Sequence, residues 1–283
     1  MSTRIDSTEG LPKVSIILPT YNGNRFIEQA IESVLKQSYE NFELIIIDDD
    51  SIDNTAEVIC RFSERDSRIL YLKNDENLGI QKSLNRGLRK AKGEYIARID
   101  DDDEWIDKDK LKAQVDFLDN YHDYVLVGTG AVVVNEKGKE LYRFFEPETD
   151  FKIRCKLLLK NCFIHPTVMF RKDAVMKIGG YDEEKEAKDR EDYDLWLKLG
   201  TVGNLANLQI IGTKKMRRTG SITSKNKIQR FKQRNQFIKK YRKYYPNYWQ
   251  SLLRNYFRLI IYGYLDFSYF AVFKNRLKNI LGV

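Results

Sequence analysis

Tyr95-Ile96-Ala97-Arg98-Ile99-Asp100-Asp101-Asp102-Asp103 is the stretch whose reading decides the fold. A short β-prone run, polar only at Arg98, ends abruptly in four aspartates, followed by Glu104-Trp105. Such a run is expected for a buried strand of a parallel sheet, with its polar residues in the loop at the carboxyl end. The same pattern occurs twice upstream. Val14-Ser15-Ile16-Ile17-Leu18 stops at Pro19 and leads into Thr20-Tyr21-Asn22, and Leu44-Ile45-Ile46-Ile47 ends in Asp48-Asp49-Asp50. Ile69 to Leu72 reads as a further strand. Between the strands lie helical stretches. One runs from a cap at Asn24 through Gln37, one follows a cap at Asp53, and one crosses residues 80–91. Repeated strand–helix–strand units imply right-handed crossovers and a mostly parallel sheet flanked by helices, an α/β fold. Ligands of such sheets bind beyond the carboxyl ends of the strands. The three polar clusters at those ends are therefore expected to converge on one crevice.

The middle of the chain is less regular. Tyr124 to Val127 and Ala131 to Val134 read as two strands, with a turn at Glu136-Lys137-Gly138-Lys139. Asp150 to Lys160 and Tyr193 to Leu199 read as helices. No internal repeat or low-complexity linker breaks the chain before about residue 214.

Of the 283 residues, 42% are hydrophobic and 32% charged, which suits a folded protein with one substantial core and an accessory region. Cys60, Cys155 and Cys162 are an odd number without CxxC spacing. They argue against a disulfide framework or structural zinc and for a reducing compartment. Met1 to Gly10 is short and polar, unlike a signal sequence, so the cytoplasm is the expected location. The net charge of +8 hides an asymmetry: residues 214–283 hold 18 of the 49 Lys and Arg but one of the 41 acids, Asp266. An acidic body carries a basic tail, and that tail calls for an anionic partner.

Carboxylates fixed at a strand end can hold Mg²⁺ or Mn²⁺ against a nucleotide diphosphate, a hard, multiply charged oxygen ligand. A lone acidic loop is as easily a solvated one. The buried strand before it, Trp105 after it and the second acidic cluster at Asp48 to Asp50 favour a nucleotide and metal crevice. Glu191-Asp192, opening a helix, reads on its own as a pair of acids stabilised by the helix dipole. His165 either lines a pocket or hydrogen-bonds within its loop beside Pro166, and His122 carries no evident role.

The order of motifs resembles the family 2 glycosyltransferases, which have a GT-A fold. The matching stretches are Pro19-Thr20-Tyr21-Asn22, Ile47-Asp48-Asp49-Asp50-Ser51-Ile52-Asp53-Asn54-Thr55, Asn77-Leu78-Gly79 and Gly93 to Asp103. They continue with His165-Pro166-Thr167, Gly179-Gly180-Tyr181-Asp182 and Glu191-Asp192-Tyr193-Asp194-Leu195-Trp196, so that the resemblance covers roughly residues 13–223. The Arg98-x-Asp100-x-Asp102-Asp103 form is most similar to the branch that builds bacterial capsule, O-antigen and lipooligosaccharide. The resemblance implies that Pro19, Tyr21, Asp48, Asp49, Arg98 and Asp100 meet a nucleotide-sugar donor, a UDP-sugar being favoured. It implies that Asp100, Asp102 and Asp103 hold Mn²⁺ or Mg²⁺, with Asp101 a spacer. Asp192 would be the general base, supported by Glu191, in a single inverting displacement. His165, Arg217 and Arg218 would contact the acceptor or the diphosphate. Two departures stand out: the usual glycine after the second carboxylate is Asp50, and Met216-Arg217-Arg218 lacks the histidine often found there. The Gln-x-x-Arg-Trp motif of processive synthases is absent from the sequence, which points to one sugar per encounter.

The expected layout is an N-terminal arm at 1–12, a catalytic domain at 13–213 and a basic, aromatic helical region at 214–283. The catalytic domain divides into a nucleotide-sugar half (13–103) and an acceptor half (104–213). Between Phe231 and Phe273 lie 15 of the 35 Phe, Trp and Tyr residues, interleaved with Lys and Arg. That mixture suits an anionic membrane surface better than nucleic acid. The nearly apolar stretch from Leu259 to Phe273 is too short to cross a bilayer, which takes about 20 residues. Packing on the catalytic domain or an oligomer interface would use the same residues. The expected activity is transfer of a hexosyl or N-acetylhexosaminyl group to a saccharide or lipid-linked acceptor. A sugar nucleotidyltransferase, or a catalytically silent membrane adaptor of the same fold, is the alternative.

Overall fold

The computed structural model describes residues 10–217, apart from 185, 186 and 188, and residues 227–264. Arg218, Asp266 and most of the apolar stretch toward Phe273 lie outside the described residues.

The four apolar runs form parallel strands β1 (Val14–Thr20), β2 (Phe42–Asp48), β3 (Ile69–Lys73) and β4 (Tyr95–Arg98). Helices α1 (Ile27–Leu35), α2 (Thr55–Ser63) and α3 (Ile80–Lys90) make the crossovers. β1 and β2 are buried at every position because helices cover both faces of the sheet. β1 lies between β2 and β4, with Thr20 level with Asp48 and Ile17 level with Arg98. The strand order reverses at this point, so the carboxyl ends of β1, β2 and β4 open onto a common crevice.

Beyond β4 the sheet becomes mixed. The short β5 (Glu104–Trp105) leads to α4 (Lys110–Asn120), β6 (Tyr124–Asn135) and β7 (Glu140–Phe144). After α5 (Asp150–Leu157) come a 3₁₀ turn (His165–Thr167), β8 (Met169–Arg171), α6 (Lys172–Lys177), α7 (Glu191–Leu199) and β9 (Asn204–Arg217). The strand order is β3-β2-β1-β4-β8-β6-β9-β5, with β7 on β6. β8 runs antiparallel to β4 and β6, and β9 runs parallel to β6.

Two expectations are corrected here. Residues 124–135 form one long strand, where two short ones were expected. Gly128 and Gly130 carry it through because Asn207 and the Phe145 ring press where a side chain would stand, a close approach that only glycine allows. The first helix starts at Ile27, later than expected, after a turn over residues 24–26 in which the Phe26 and Ile27 N–H groups donate to the Gly23 carbonyl.

By contact pattern the chain forms two compact units, Met1–Ile153 with Cys162–Arg218, and Arg154–Asn161 with Thr219–Val283. The first holds the whole sheet. The second holds α8 (Lys227–Lys240) and α9 (Tyr248–Tyr264). Cys60, Cys155 and Cys162 are free thiols.

Candidate active site

The loops at the carboxyl ends of β1, β2 and β4 are tied to one another directly. Thr20 Oγ1 donates to Asp101 Oδ2 (2.6 Å), and the Asp49 N–H donates to the Thr20 carbonyl (2.9 Å). The Asn22 N–H donates to Ser51 Oγ, and Asn22 Oδ1 accepts from the Ile52 N–H. Asn22 and Asp50 both adopt left-handed backbone, with φ of 54° and 65°. Asn and Asp tolerate that conformation best after glycine. The backbone at Asp50 is thus of the kind a glycine would serve, as the family pattern has it.

The carboxylates after β2 are buried and already served by the protein. Asp48 Oδ1 accepts from the Ser51 N–H (2.8 Å) and Oδ2 from the Tyr71 hydroxyl (2.9 Å). Asp49 Oδ1 accepts from Asn74 Nδ2, Ser83 Oγ and the Leu78 N–H, and Oδ2 from the Gly79 N–H. Asp49 thereby pins the Asn77-Leu78-Gly79 segment and the start of α3 to the sheet, while Oδ2, with one donor, keeps a lone pair to offer. Gly79 at the mouth of α3 has φ of 85°. Pro19 is buried in β1, and Tyr21 is 49% exposed beside it.

The carboxylates after β4 are set among cations. Arg98, 1% exposed, donates from Nη2 to Asp100 Oδ1 (2.6 Å) and from Nη1 to the Ile99 carbonyl. Its buried Nε has no hydrogen-bond partner among the described residues. Lys215 of β9 places Nζ 3.8 Å from Asp100 Oδ2 and 3.2 Å from Asp103 Oδ2, and the Met216 N–H donates to Asp103 Oδ1 (2.8 Å). Burial alone would raise the Asp100 carboxyl, but Arg98, then Lys215 and His165, hold it well below the usual range. Burial pushes the Asp103 carboxyl up to about 7 against the pull of Lys215, with the charges of Asp100 and Asp102 adding to the push.

The expected trio of metal carboxylates is therefore not assembled as one. Among the described residues no group of three or more His, Cys, Asp or Glu is placed to hold an ion. Asp103 is turned inward onto β9, and Asp100 is engaged by Arg98. Of the other two, Asp100 is partly exposed and Asp102 is half-buried. One or two carboxylates, completed by phosphate oxygens and water, are the usual protein share of a Mg²⁺ or Mn²⁺ site at a diphosphate. The donor set fits that ion. Asp101, expected to be a spacer, is the acceptor that locks the β4 loop to Thr20.

Glu191 and Asp192 open α7. Asp192 Oδ1 accepts from the Tyr193 N–H (2.6 Å). Glu191 is buried, its Oε2 has no hydrogen-bond partner among the described residues, and burial followed by the charge of Asp192 pushes its carboxyl up to about 8. Burial and the neighbouring charge thus favour the protonated form of Glu191. Two further residues pair beside α7. His165 Nε2 and the Tyr181 hydroxyl are 2.9 Å apart, and the His165 ring meets Trp196 edge-on at 5.7 Å. Tyr181 is raised first by burial and feels the charges of Arg98, Glu191, Asp192 and Asp100 together. Burial, then Arg98, keeps His165 neutral. His165 thus belongs to the crevice. Arg217 is exposed at the end of β9.

Sequence reasoning missed Lys215 and gave Tyr181 no role. Lys215 could have been suspected as a lysine inside an otherwise strand-like run leading to Arg217. Tyr181 sits in a segment that α3 fixes through Asn85, which donates to the Tyr181 carbonyl and accepts from its N–H.

A model of the family described as "Glycosyl transferase family 2" matches residues 15–179. EpsE of Bacillus subtilis is 38% identical over 188 residues, 66% of each chain. The O-antigen biosynthesis glycosyltransferase WbnJ of Escherichia coli is 35% identical over 201 residues, 70% of this chain and 74% of the relative. The E. coli UDP-Glc:alpha-D-GlcNAc-diphosphoundecaprenol beta-1,3-glucosyltransferase WfgD is 34% identical over 220 residues, 77% and 82% of the two chains. Among solved structures, residues 1–349 of S. aureus TarS superpose with a TM-score of 0.67 at 19% identity, covering 88% of this chain and 73% of that one. The same protein with UDP-GlcNAc gives 0.65 at 22% identity, covering 80% and 66%. Mannosyltransferase PcManGT from Pyrobaculum calidifontis, with GDP-Man and Mn²⁺, gives 0.64 at 20% identity, covering 89% and 70%.

Proposed function

Because this chain belongs to glycosyl transferase family 2 and has the GT-A fold, we propose that it moves one sugar per encounter, with inversion, from a nucleotide-diphosphate donor to a hydroxyl of a lipid-linked or polysaccharide acceptor. A UDP-hexose or UDP-N-acetylhexosamine is the favoured donor, since TarS was seen with UDP and UDP-GlcNAc and WfgD is named for UDP-Glc. The observation that carries the reading is the His165 loop: its Val168 carbonyl accepts from the Arg98 N–H of β4, and the His165 ring packs on Trp196 of α7, the helix that Glu191 and Asp192 open, which supports donor and base residues sharing one crevice.

In this reading Tyr21, with Pro19 and the open lone pair of Asp49, receives the base and ribose, while Asp48 shapes the wall. Asp100 and Asp102 would hold Mn²⁺ or Mg²⁺, which would supply positive charge to the diphosphate. Arg98 fixes the rotamer of Asp100. Lys215, with Arg217 beyond it at the end of β9, adds cations on the diphosphate side. Asp103, expected as a ligand, serves instead to lock β9 and Lys215 in place. Asp192 accepts the proton of the acceptor hydroxyl as that oxygen bonds to the anomeric carbon, and the bond from that carbon to the diphosphate oxygen breaks with its electron pair leaving on the diphosphate. With Glu191 protonated, Asp192 carries the only negative charge of the pair, the arrangement in which adjacent carboxyls take different roles. His165 and Tyr181, hydrogen-bonded to each other, line the acceptor side.

Among the described residues no helix is long and apolar enough to cross a membrane. We place the protein at the cytoplasmic face of the membrane as a peripheral protein, where a lipid-linked acceptor would be found. The test is a thermal-shift screen of nucleotide sugars with and without Mn²⁺, followed by transfer assays on the stabilising donor. A UDP-sugar should raise Tm in the presence of the ion, and Asp192→Asn should lower kcat at least about 10²-fold while leaving donor binding intact. Donor stabilisation with no transfer or donor hydrolysis under any condition would point instead to the silent adaptor.

A further inference from the structure

In the second compact unit, α9 buries Ser251, Leu252 and Asn255, and Asn255 Nδ2 donates to the Phe231 carbonyl and Asn235 Oδ1 of α8. The opposite side of α9 exposes Trp249, Leu253, Tyr256, Phe257 and Ile260, with Trp249 70% and Phe257 64% exposed. Their spacing puts all five within an arc of about 100° and along about 16 Å of helix. The adjacent leucines divide, Leu252 inward and Leu253 outward.

The charge around this stripe is one-sided. Residues 227–264 contain no Asp or Glu. Lys239, Lys240, Arg242, Lys243 and Arg254 are exposed. A second copy of the same face would bring these cations together, which opposes self-association through it. An anionic bilayer supplies both an apolar layer for the stripe and phosphates for the cations.

We propose that the Trp249–Leu253–Phe257–Ile260 face of α9 is the surface on which this protein lies on an anionic lipid bilayer, in the plane of the headgroups. The inference rests on the transfer reading above and adds to it the residues that meet the membrane. α9 would present its stripe to the acyl boundary while the basic residues on either side reach lipid phosphates.

The chain's three tryptophans make the test direct, because Trp105 and Trp196 are buried and Trp249 is exposed. Full-length protein mixed with phosphatidylcholine vesicles carrying about one third phosphatidylglycerol should sediment with them, and its emission should move to shorter wavelength. Binding to pure phosphatidylcholine should be at least about tenfold weaker. The variant Leu253→Ser/Phe257→Ser/Ile260→Ser changes only exposed positions and should lose at least about tenfold in vesicle binding, with UDP binding and Tm unchanged. Three results would overturn the proposal. One is equal vesicle binding by the variant. Another is emission already blue and unmoved by vesicles, which would mean the chain covers its own stripe. The third is a shift that follows protein concentration without lipid, which would make the partner a second copy. Failure of the wild type to bind UDP would instead remove the transfer reading and leave the vesicle result standing.

Discussion

The carboxylates that follow β2 and those that follow β4 occupy equivalent places, at the carboxyl ends of parallel strands one strand apart, yet they keep different company. Asp48 and Asp49 are held by neutral donors: backbone N–H groups, a tyrosine and a serine hydroxyl, and an asparagine amide. Asp100 and Asp103 are held by Arg98 and Lys215. Oriented neutral dipoles can stabilise a buried charge in place, and six such donors converge on two side chains that hold loops, with Asp49 Oδ2, which has one donor, left open to a ligand. At β4, four successive aspartates face two cations, which leaves a surplus of negative charge for a metal ion and a set of cations for phosphate. The lesson is that an acidic cluster at a strand end is identified by its partners, not by its composition.

The sharpest break in that comparison would come from Asp102. We expect Asp102→Ala to lower transfer at least about 10²-fold, because it removes a crevice carboxylate and leaves the struts intact. Tm should stay within about 3 °C of wild type. Metal-dependent transfer at full rate would place the ion elsewhere and void the distinction between the two loops.

Asp49→Ala should do the opposite. It orphans four donors in a buried site and frees the Asn77-Leu78-Gly79 segment, at a cost of about 3 kcal/mol in urea unfolding. Loss of donor binding should follow from that loosening. If Asp49→Ala kept its stability and lost only donor affinity, the β2 carboxylate would be a ligand first and a strut second, and the two loops would be alike.

The parallel half of the fold was legible because fully buried strands read as unbroken apolar runs, and the crevice followed from where those runs stop. The mixed half was harder. Residues 124–135 looked like two strands because Gly128-Thr129-Gly130 interrupts the apolar pattern, while the reason for those glycines, the contacts of Asn207 and Phe145, is visible only in three dimensions. In the same way the sequence presents Asp100, Asp102 and Asp103 as equals. Only the return of β9 past the loop shows that Asp103 faces inward, and no local pattern couples residue 103 to residue 215. Arg98 was noted for its motif, but its burial and its grip on Asp100 come from packing against β8 and the His165 loop.

A third acidic site extends the comparison, since among the described residues Glu191 Oε2 has no hydrogen-bond partner. Its carboxyl, raised to about 8 by burial and by Asp192, binds its proton more tightly folded than unfolded. The sign follows. Its contribution to stability is fully present below the unfolded value near 4.5 and is lost as pH rises toward 8. Glu191→Gln mimics the protonated form, so the variant should be more stable than wild type by about 3 kcal/mol at pH 7 and equal to it near pH 4. A constant difference across that range, followed by urea unfolding at several pH values, would mean Glu191 is already ionised in the fold. Glu191 would then resemble Asp49 in holding its charge, and the assignment of Asp192 as the single charged member would fall with it.

The smallest effect expected is at Asp50, where the β2 loop departs from the family's glycine. Its φ of 65° puts an L-residue in left-handed backbone, which costs Asp less than most residues and costs glycine nothing. Asp50→Gly relieves that cost but adds freedom to the unfolded chain, and the two terms are of similar size, so stability should change by less than about 1 kcal/mol. Asp50→Ala keeps the constraint and loses the side chain that suits it, and should be destabilised by about 1 kcal/mol relative to both. The ordering Ala below Asp and Gly, measured by urea midpoint, isolates the backbone. Kinetics then decide what the carboxylate does. If Asp50 belongs with Asp48 and Asp49 as part of the frame, Asp50→Gly should leave kcat and the donor KM within about threefold. A larger fall in donor KM would show that this extra charge opposes the donor's own, and would move one member of the β2 cluster from frame to ligand face.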